Sequence, residues 1–186
     1  DGFAKLCYLG PMFRAERPQA GRLRQFHQYG VEALGSPSPW VDVEVLVLCL
    51  HILRECGLPP EETQLWLSSM GCRKDQQRSA EALRKRLSPQ RDTLCKNCQA
   101  RFEKNVFRIL DCKNPTCHEI AWREGSPFLL CRECETHFQH VCEGLQAAHI
   151  RFDATKTFAR GLDYYTRTVF EVRAAGLGAQ DAVAAG

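Results

Sequence analysis

No long hydrophobic run is present: the longest, residues 45–50, falls far short of the roughly 18 apolar residues that a membrane span requires. Nor does the sequence open on a basic stretch followed by an apolar one, so no secretory signal is read. Internal repeats and low-complexity tracts are absent apart from an Ala/Gly-rich tail. With 44% hydrophobic and 25% charged residues, the composition is neither that of a disordered chain nor that of a coiled coil. These absences predict a soluble, cytoplasmic protein with no membrane partner. At 186 residues the chain can hold one or two domains around a sizeable core, yet it is short for a complete multidomain enzyme. It begins at Asp1 and stops within an Ala-Val-Ala-Ala-Gly stretch, which predicts a fragment.

Cysteine, by contrast, is plentiful, with 11 residues at positions 7, 49, 56, 72, 95, 98, 112, 117, 131, 134 and 142. An odd count, paired spacings and no secretory signal favour reduced thiols or a metal site over a disulfide framework. Charge is unevenly spread. The net value is +3, but residues 73–108 carry eleven Lys/Arg against four acids, a local +7 that leaves −4 elsewhere. Such a run reads equally as a nucleic-acid-facing surface or as a solvated helix face.

Residues 5–35 read as two strands around an arginine-rich turn. By the period-two rule Leu6, Tyr8, Met12, Arg14 and Glu16 share one face, and Phe26, Gln28, Gly30 and Glu32 share a face on the return. After Ser36-Pro37-Ser38-Pro39, residues 42–56 form a helix expected to be buried, because its apolar residues wrap most of the circumference; a strand over residues 41–47 is the alternative. Residues 63–70 read as a strand and residues 75–87 as a basic helix that Ser88-Pro89 ends. Cys134, Phe138, Val141, Cys142 and Leu145 form the stripe of an amphipathic helix, and residues 159–172 are β-rich.

Between Arg14 and Arg24 lie four arginines and Glu16. Guanidinium forks suit phosphate, which points to a polyphosphate or nucleic-acid ligand. A glutamate among them needs a donor, such as a base amino group. On the return strand Gln28 and Glu32 flank Gly30, whose missing side chain would let a small amphoteric ligand lie against the backbone. From composition alone the same residues also read as surface charges.

The order of residues narrows this reading. The stretch GPMFRAERPQAGRLRQFHQYGVE, residues 10–32, resembles motif 2 of class II aminoacyl-tRNA synthetases in its histidyl-tRNA synthetase form. ARGLDYYTRTVFE, residues 159–171, resembles the histidine-specific signature of that family, and RILDCKNP, residues 108–115, an element between the two in bacterial members. The resemblance implies an α+β fold: a class II synthetase-like antiparallel sheet flanked by helices, with a cysteine-rich, mainly helical insertion. It divides the chain into a first catalytic part (1–71), a basic cysteine-rich insertion (72–150) and a second catalytic part (151–186). It further implies activation of L-histidine with ATP and Mg²⁺, transfer to tRNA(His), and a homodimer.

Carried over by position, Arg14 stands where the motif 2 arginine binds the ATP α-phosphate and the substrate carboxylate, Glu16 where an acid reads the adenine amino group, and Arg22 among the ATP-binding arginines. Gln28 matches the residue at the α-amino end of histidine and Glu32 the carboxylate on the imidazole. Arg160 matches the family-specific arginine at the α-phosphate and carboxylate, and Tyr164 and Tyr165 the tyrosines of the histidine pocket. The insertion lies near the acceptor stem in the family, which makes Lys74, Arg78, Arg84 and Lys85 candidates for tRNA contact. The isolated fragment, without motif 1, motif 3 and the anticodon-binding domain, is expected to be inactive.

Cys95-x2-Cys98 and Cys131-x2-Cys134 can together supply four thiolates to a structural zinc; reduced thiols serving as small hydrophobes are the alternative. Cys112 falls within the RILDCKNP element and is left out of that set. Two other functions share part of this pattern: the regulatory paralogue subunit of ATP phosphoribosyltransferase, and a zinc-ribbon nucleic-acid module. Intact Arg14, Glu16, Arg22 and Arg24, with Thr166-Arg167-Thr168 after the tyrosines, favour the synthetase over the first. The second leaves both terminal motifs unexplained.

Overall fold

The structure, a computed structural model, describes residues 2–15, 17–18, 22–155, 158, 165–175 and 181–186. The described elements are β1 (Ala4–Phe13), β2 (Gln25–Leu34), α1 (Pro39–Glu55), β3 (Thr63–Ser69), α2 (Arg73–Leu87), α3 (Lys96–Lys104), α4 (Pro115–Trp122), α5 (Arg132–Ala147), β4 (Phe152–Asp153), β5 (Thr168–Ala174) and β6 (Ala182–Ala185). β1 and β2 form an antiparallel ribbon; the other strands form a sheet in the order β4-β3-β5-β6. The expected α+β class is thus present. Beside the antiparallel pairs β1–β2 and β5–β6 stands a short parallel pair, Leu65 with Phe152 and Trp66 with Asp153. Among the described residues no helix is long and apolar enough to cross a membrane.

The chain divides into two compact units. The first comprises residues 1–66, 139–153 and 170–186. Its ribbon runs in unbroken register from Ala4 opposite Leu34 to Phe13 opposite Gln25, and the Arg14 N–H donates to the Arg24 carbonyl at 2.9 Å beyond the last pair. A two-stranded ribbon has little core of its own, and Leu9 and Phe13 are 75% and 73% exposed. Lys5 pairs with Glu44 of α1. Pro39 opens α1 with its φ already helical and no N–H to lose, Asp42 sits in the first turn, and Gly57 follows the end with φ +87°. The expected buried helix is instead mostly half-exposed, with Leu46 alone buried and Trp40 and Leu48 open to solvent. Apolar residues surround it, and its neighbours within this unit include β2 and α5, where Trp40 stacks on His140 at 6.3 Å.

The second unit comprises residues 67–138 and 154–169. In α2 the buried positions Asp75, Ser79, Leu83 and Leu87 recur every four residues, giving one inward stripe on an otherwise polar helix. Pro89 does end the α-helical hydrogen bonding, yet the chain continues as a 3₁₀ turn over Ser88–Thr93, which a residue with fixed φ can begin. The core gathers Leu83, Leu87, Val106, Ile109, Cys98, Cys117 and Ala121, all at 0–1% exposure. Arginines tie its surface: Arg86 donates to the Ala121 and Gly125 carbonyls, and Arg101 to that of Arg108 at 2.9 Å.

Candidate functional site

Two places in the chain gather chemically versatile side chains: one face of the β1–β2 ribbon and the helix N-termini of the second unit.

On the ribbon, register puts Leu6 opposite Glu32, Tyr8 opposite Gly30, Gly10 opposite Gln28 and Met12 opposite Phe26. Directly opposed residues share a face, so the two sets read from alternation become one surface. Contacts across it bear this out. The Gln28 amide donates to Tyr8 Oη at 2.8 Å, and the Arg14 guanidinium lies 3.8 Å over the Phe26 ring. A planar cation on an aromatic face is held without losing its outward donors. Gly30 serves a different purpose from the one expected. A Cβ there would stand 2.1 Å from Tyr8 Cζ, so the tyrosine ring, not a ligand, fills the gap in the strand. Tyr8 joins this face through its position opposite Gly30 in the register, which the sequence alone does not reveal. Glu32 is exposed at one end of this face and Arg14 is half-buried at the other, with Arg22 half-buried after it.

Glu16, Arg160 and Tyr164 lie outside the described residues. Tyr165 belongs to the second unit, where its carbonyl accepts from the Gln76 amide at 2.7 Å. Two residues on, Arg167 takes φ +59°, exchanges backbone hydrogen bonds with Met70 and Gly71, each at 2.8 Å, and sets its guanidinium on Glu133 at 2.5 Å.

The cysteines of the second unit form two groups, not one. Cys95 and Cys98 meet Cys112 and Cys117; Cys131 and Cys134 meet Cys72 and Asp75; within each group all ligand atoms lie within 4.8 Å of one another. Either group could hold a metal ion. The expected set of Cys95, Cys98, Cys131 and Cys134 is therefore divided between them, and Cys112, left out of it, is a member of the first. The local geometry is common to both. Cys95 caps α3 and Cys98 follows in its first turn; Cys72 caps α2 and Asp75 follows in its first turn; Cys131 precedes α5 and Cys134 lies in its first turn. The unpaired amides of a helix start favour anionic ligands. Thus the Cys98 backbone N–H holds the Cys95 thiol down to about 7, against the cost of burial, while burial pushes Cys98 and Cys117 up. Burial alone would raise Asp75, but the Cys134 thiol, the Cys131 N–H, Arg78 and the Cys72 N–H outweigh it and hold the carboxyl well below the usual carboxylate range.

Of the basic run, several arginines are committed internally. Arg78 bonds Asp75 at 2.7 Å, Arg91 pairs with Glu103 at 2.7 Å, and Arg84 reaches the Phe102 carbonyl at 3.4 Å. Lys74 and Lys85 are exposed, eleven positions apart in α2 and so on one helix face. Arg84 faces elsewhere: with Arg73, Gln76, Lys104 and Asn105 it lines a cleft of about 250 Å³.

The family described as histidyl-tRNA synthetase matches residues 1–186. The histidine–tRNA ligase of Desulfitobacterium hafniense is 47% identical over 185 residues, covering 98% of this chain and 43% of the relative. That of Moorella thermoacetica is 48% identical over 184 residues, with the same coverage. Among solved structures, apo histidyl-tRNA synthetase of S. aureus is similar with a TM-score of 0.66 and 34% identity, over 90% of this chain and 38% of that one. The chain spans less than half the length of the relatives it matches.

Proposed function

The chain belongs to the histidyl-tRNA synthetase family, and from that premise we propose that it contributes the histidine- and ATP-binding part of a catalytic domain. On this reading the full-length protein, a cytoplasmic homodimer, activates L-histidine with the Mg²⁺ complex of ATP and transfers it to tRNA(His). The observation that carries the proposal is the single ribbon face on which Arg14 over Phe26, Gln28 on Tyr8, and Glu32 stand in series. It supplies a phosphate cation, a polar group for the amino end and a carboxylate for the imidazole, in the order a histidyl-adenylate requires.

In the first step a histidine carboxylate oxygen attacks the α-phosphorus and the bond to the β-phosphate oxygen breaks, releasing pyrophosphate. Negative charge grows on the α-phosphate oxygens, where Arg14 and Arg160 act; cations fixed beforehand lower such a barrier without reorganisation. Arg22 holds the polyphosphate and Glu16 accepts from the adenine amino group. Glu32 accepts from one imidazole nitrogen, and Tyr164 and Tyr165 take the histidine-binding roles that their match to the family signature implies. An amino acid without that ring leaves the Glu32 carboxylate without its donor and is rejected. In the second step a terminal tRNA hydroxyl attacks the activated carbonyl and AMP leaves. A metal ion held by the cysteines would be structural and takes no part in either step.

Histidine-dependent ATP–pyrophosphate exchange by the full-length protein tests the reading. Exchange that requires histidine supports it, and its absence would favour the regulatory paralogue. A finer expectation concerns Gly30. Because a Cβ there displaces the Tyr8 ring, Gly30→Ala breaks the Gln28–Tyr8 hydrogen bond, a loss of about 0.5–1.5 kcal/mol. The KM for histidine should rise up to about tenfold in the exchange assay, with the KM for ATP nearly unchanged.

For tRNA, Lys74 and Lys85 are exposed cations on one face of α2, whereas Arg78, exposed beside them, and Arg84 also serve internal bonds. Lys74→Glu with Lys85→Glu should weaken tRNA binding and lower the salt slope of log K by about 2, without changing exchange. Unchanged affinity and slope in a filter-binding titration would remove these residues from the interface.

A further inference from the structure

We propose that the second unit holds two structural zinc ions: one bound by Cys95, Cys98, Cys112 and Cys117, the other by Cys72, Asp75, Cys131 and Cys134. The proposal stands independently of the aminoacylation reading.

Sulfur placement fits a single ion in the first group. Four thiolates at about 2.3 Å from a tetrahedral zinc lie about 3.8 Å apart; Cys95 Sγ and Cys112 Sγ are 3.9 Å apart, and the four sulfurs all fall within 4.8 Å of one another. The outer shell is also built. The Cys95 N–H donates to Cys117 Sγ at 3.2 Å and the Asn114 N–H to Cys112 Sγ at 3.4 Å, bonds of the kind that orient metal-bound thiolates. Cys98 and Cys117 are fully buried. Without an ion these sulfhydryls, weak donors and weak acceptors, would face one another through weak sulfur hydrogen bonds alone.

The second group uses the same construction, with a carboxylate in place of one sulfur. Cys72-x2-Asp75 repeats the cap-and-first-turn placement of Cys131-x2-Cys134, so the two helix starts converge on one point. Asp75 is 1% exposed; Arg78 donates to its Oδ1 at 2.7 Å and the Cys72 N–H to its Oδ2 at 3.2 Å, fixing the carboxylate's orientation beside three thiols. Close approach is provided for as well. Gly71 has φ +70°, and a Cβ there would lie 2.5 Å from Asp75 Cβ. Helix N-termini, Arg78 and the +7 run supply positive charge against two centres whose ligands outweigh the ion by roughly two charges each. Thiolates select zinc or iron over the harder ions. Ligand atoms this close enclose one ion, not a multinuclear iron–sulfur cluster.

The full-length protein, purified without a metal-affinity tag, is expected to contain two zinc per chain by plasma mass spectrometry. Under native alkylation its seven ligand cysteines should stay protected until a chelator is added. Cys112→Ser and Asp75→Ala should each leave one zinc. In the cobalt-substituted protein Asp75→Cys should keep two metals and strengthen the sulfur-to-cobalt charge-transfer band. Zero or one zinc in the unaltered protein, iron in its place, a disulfide among the seven cysteines, or their free alkylation would overturn the proposal, and these readouts need no variant to fold. An unchanged cobalt spectrum in Asp75→Cys would remove Asp75 from the ligand set.

Discussion

Arg14→Ala in the full-length protein is expected to lower histidine-dependent ATP–pyrophosphate exchange by about 10³-fold, roughly 4 kcal/mol of transition-state stabilisation. The magnitude follows from where the charge is and how it is held. Arg14 is half-buried, its guanidinium rests 3.8 Å over Phe26, and its backbone N–H donates to the Arg24 carbonyl at 2.9 Å where the strands end. It therefore meets the developing charge without first having to be ordered. Arg14→Lys keeps the charge but neither the planar stack nor the fork, so it should recover less than about tenfold of the loss. The fall should appear in kcat/KM for both histidine and ATP, because the arginine is assigned to the phosphate and the carboxylate together. Exchange within a few-fold of the unaltered protein would remove Arg14 from the reacting phosphate. Phe26→Leu, which loosens the stack and leaves the cation, should give an intermediate loss.

The ribbon was legible in the sequence because a period of two is enforced residue by residue. Leu6, Tyr8, Met12 and Arg14 could be placed on one face before any partner was known, and the register joins that face to Gln28 and Glu32. What lies across Gly30 could not be read, because it depends on which residue of β1 stands opposite. A glycine between Gln28 and Glu32 looks the same whether a ligand or a tyrosine ring covers it. Helix α1 shows the converse limit. Periodicity finds the helix, but apolar residues all round it say nothing about how many sides have partners within this chain. The cysteines separate local from distant information in the same way. Each CxxC announces a pair of sulfurs close in sequence, and the stripe from Cys134 to Leu145 announces the helix that follows the second pair. Which helix starts converge is a matter of tertiary packing, and there Asp75 is disguised: its spacing from Cys72 is that of an ordinary capping residue, a role it also fills.

Stripping the metal should produce the largest change in stability. An ion present at a thousandfold its dissociation constant contributes about 4 kcal/mol to the folded state, which for a domain of about 60–100 residues corresponds to a fall in Tm of roughly 16–32 °C. The elements that depend on it can be named. α3 and α4 have nine and eight residues, fewer than the roughly 12–15 that make an isolated helix even marginal in water. Their first turns carry Cys98 and Cys117, both fully buried. With the ion removed, those turns lose a centre that fixes them to each other and to Cys95 and Cys112. Hydrogen exchange on the full-length protein with and without chelator should therefore show amides of α3 and α4 losing protection first, followed by the start of α2 around Cys72 and Asp75. The β1–β2 ribbon contains no ligand of either group, so its amides should change little. A Tm that shifts by less than about 3 °C, or protection lost equally across ribbon and cysteine-rich unit, would mean that Leu83, Leu87, Val106 and Ile109 stabilise the unit without help from a metal.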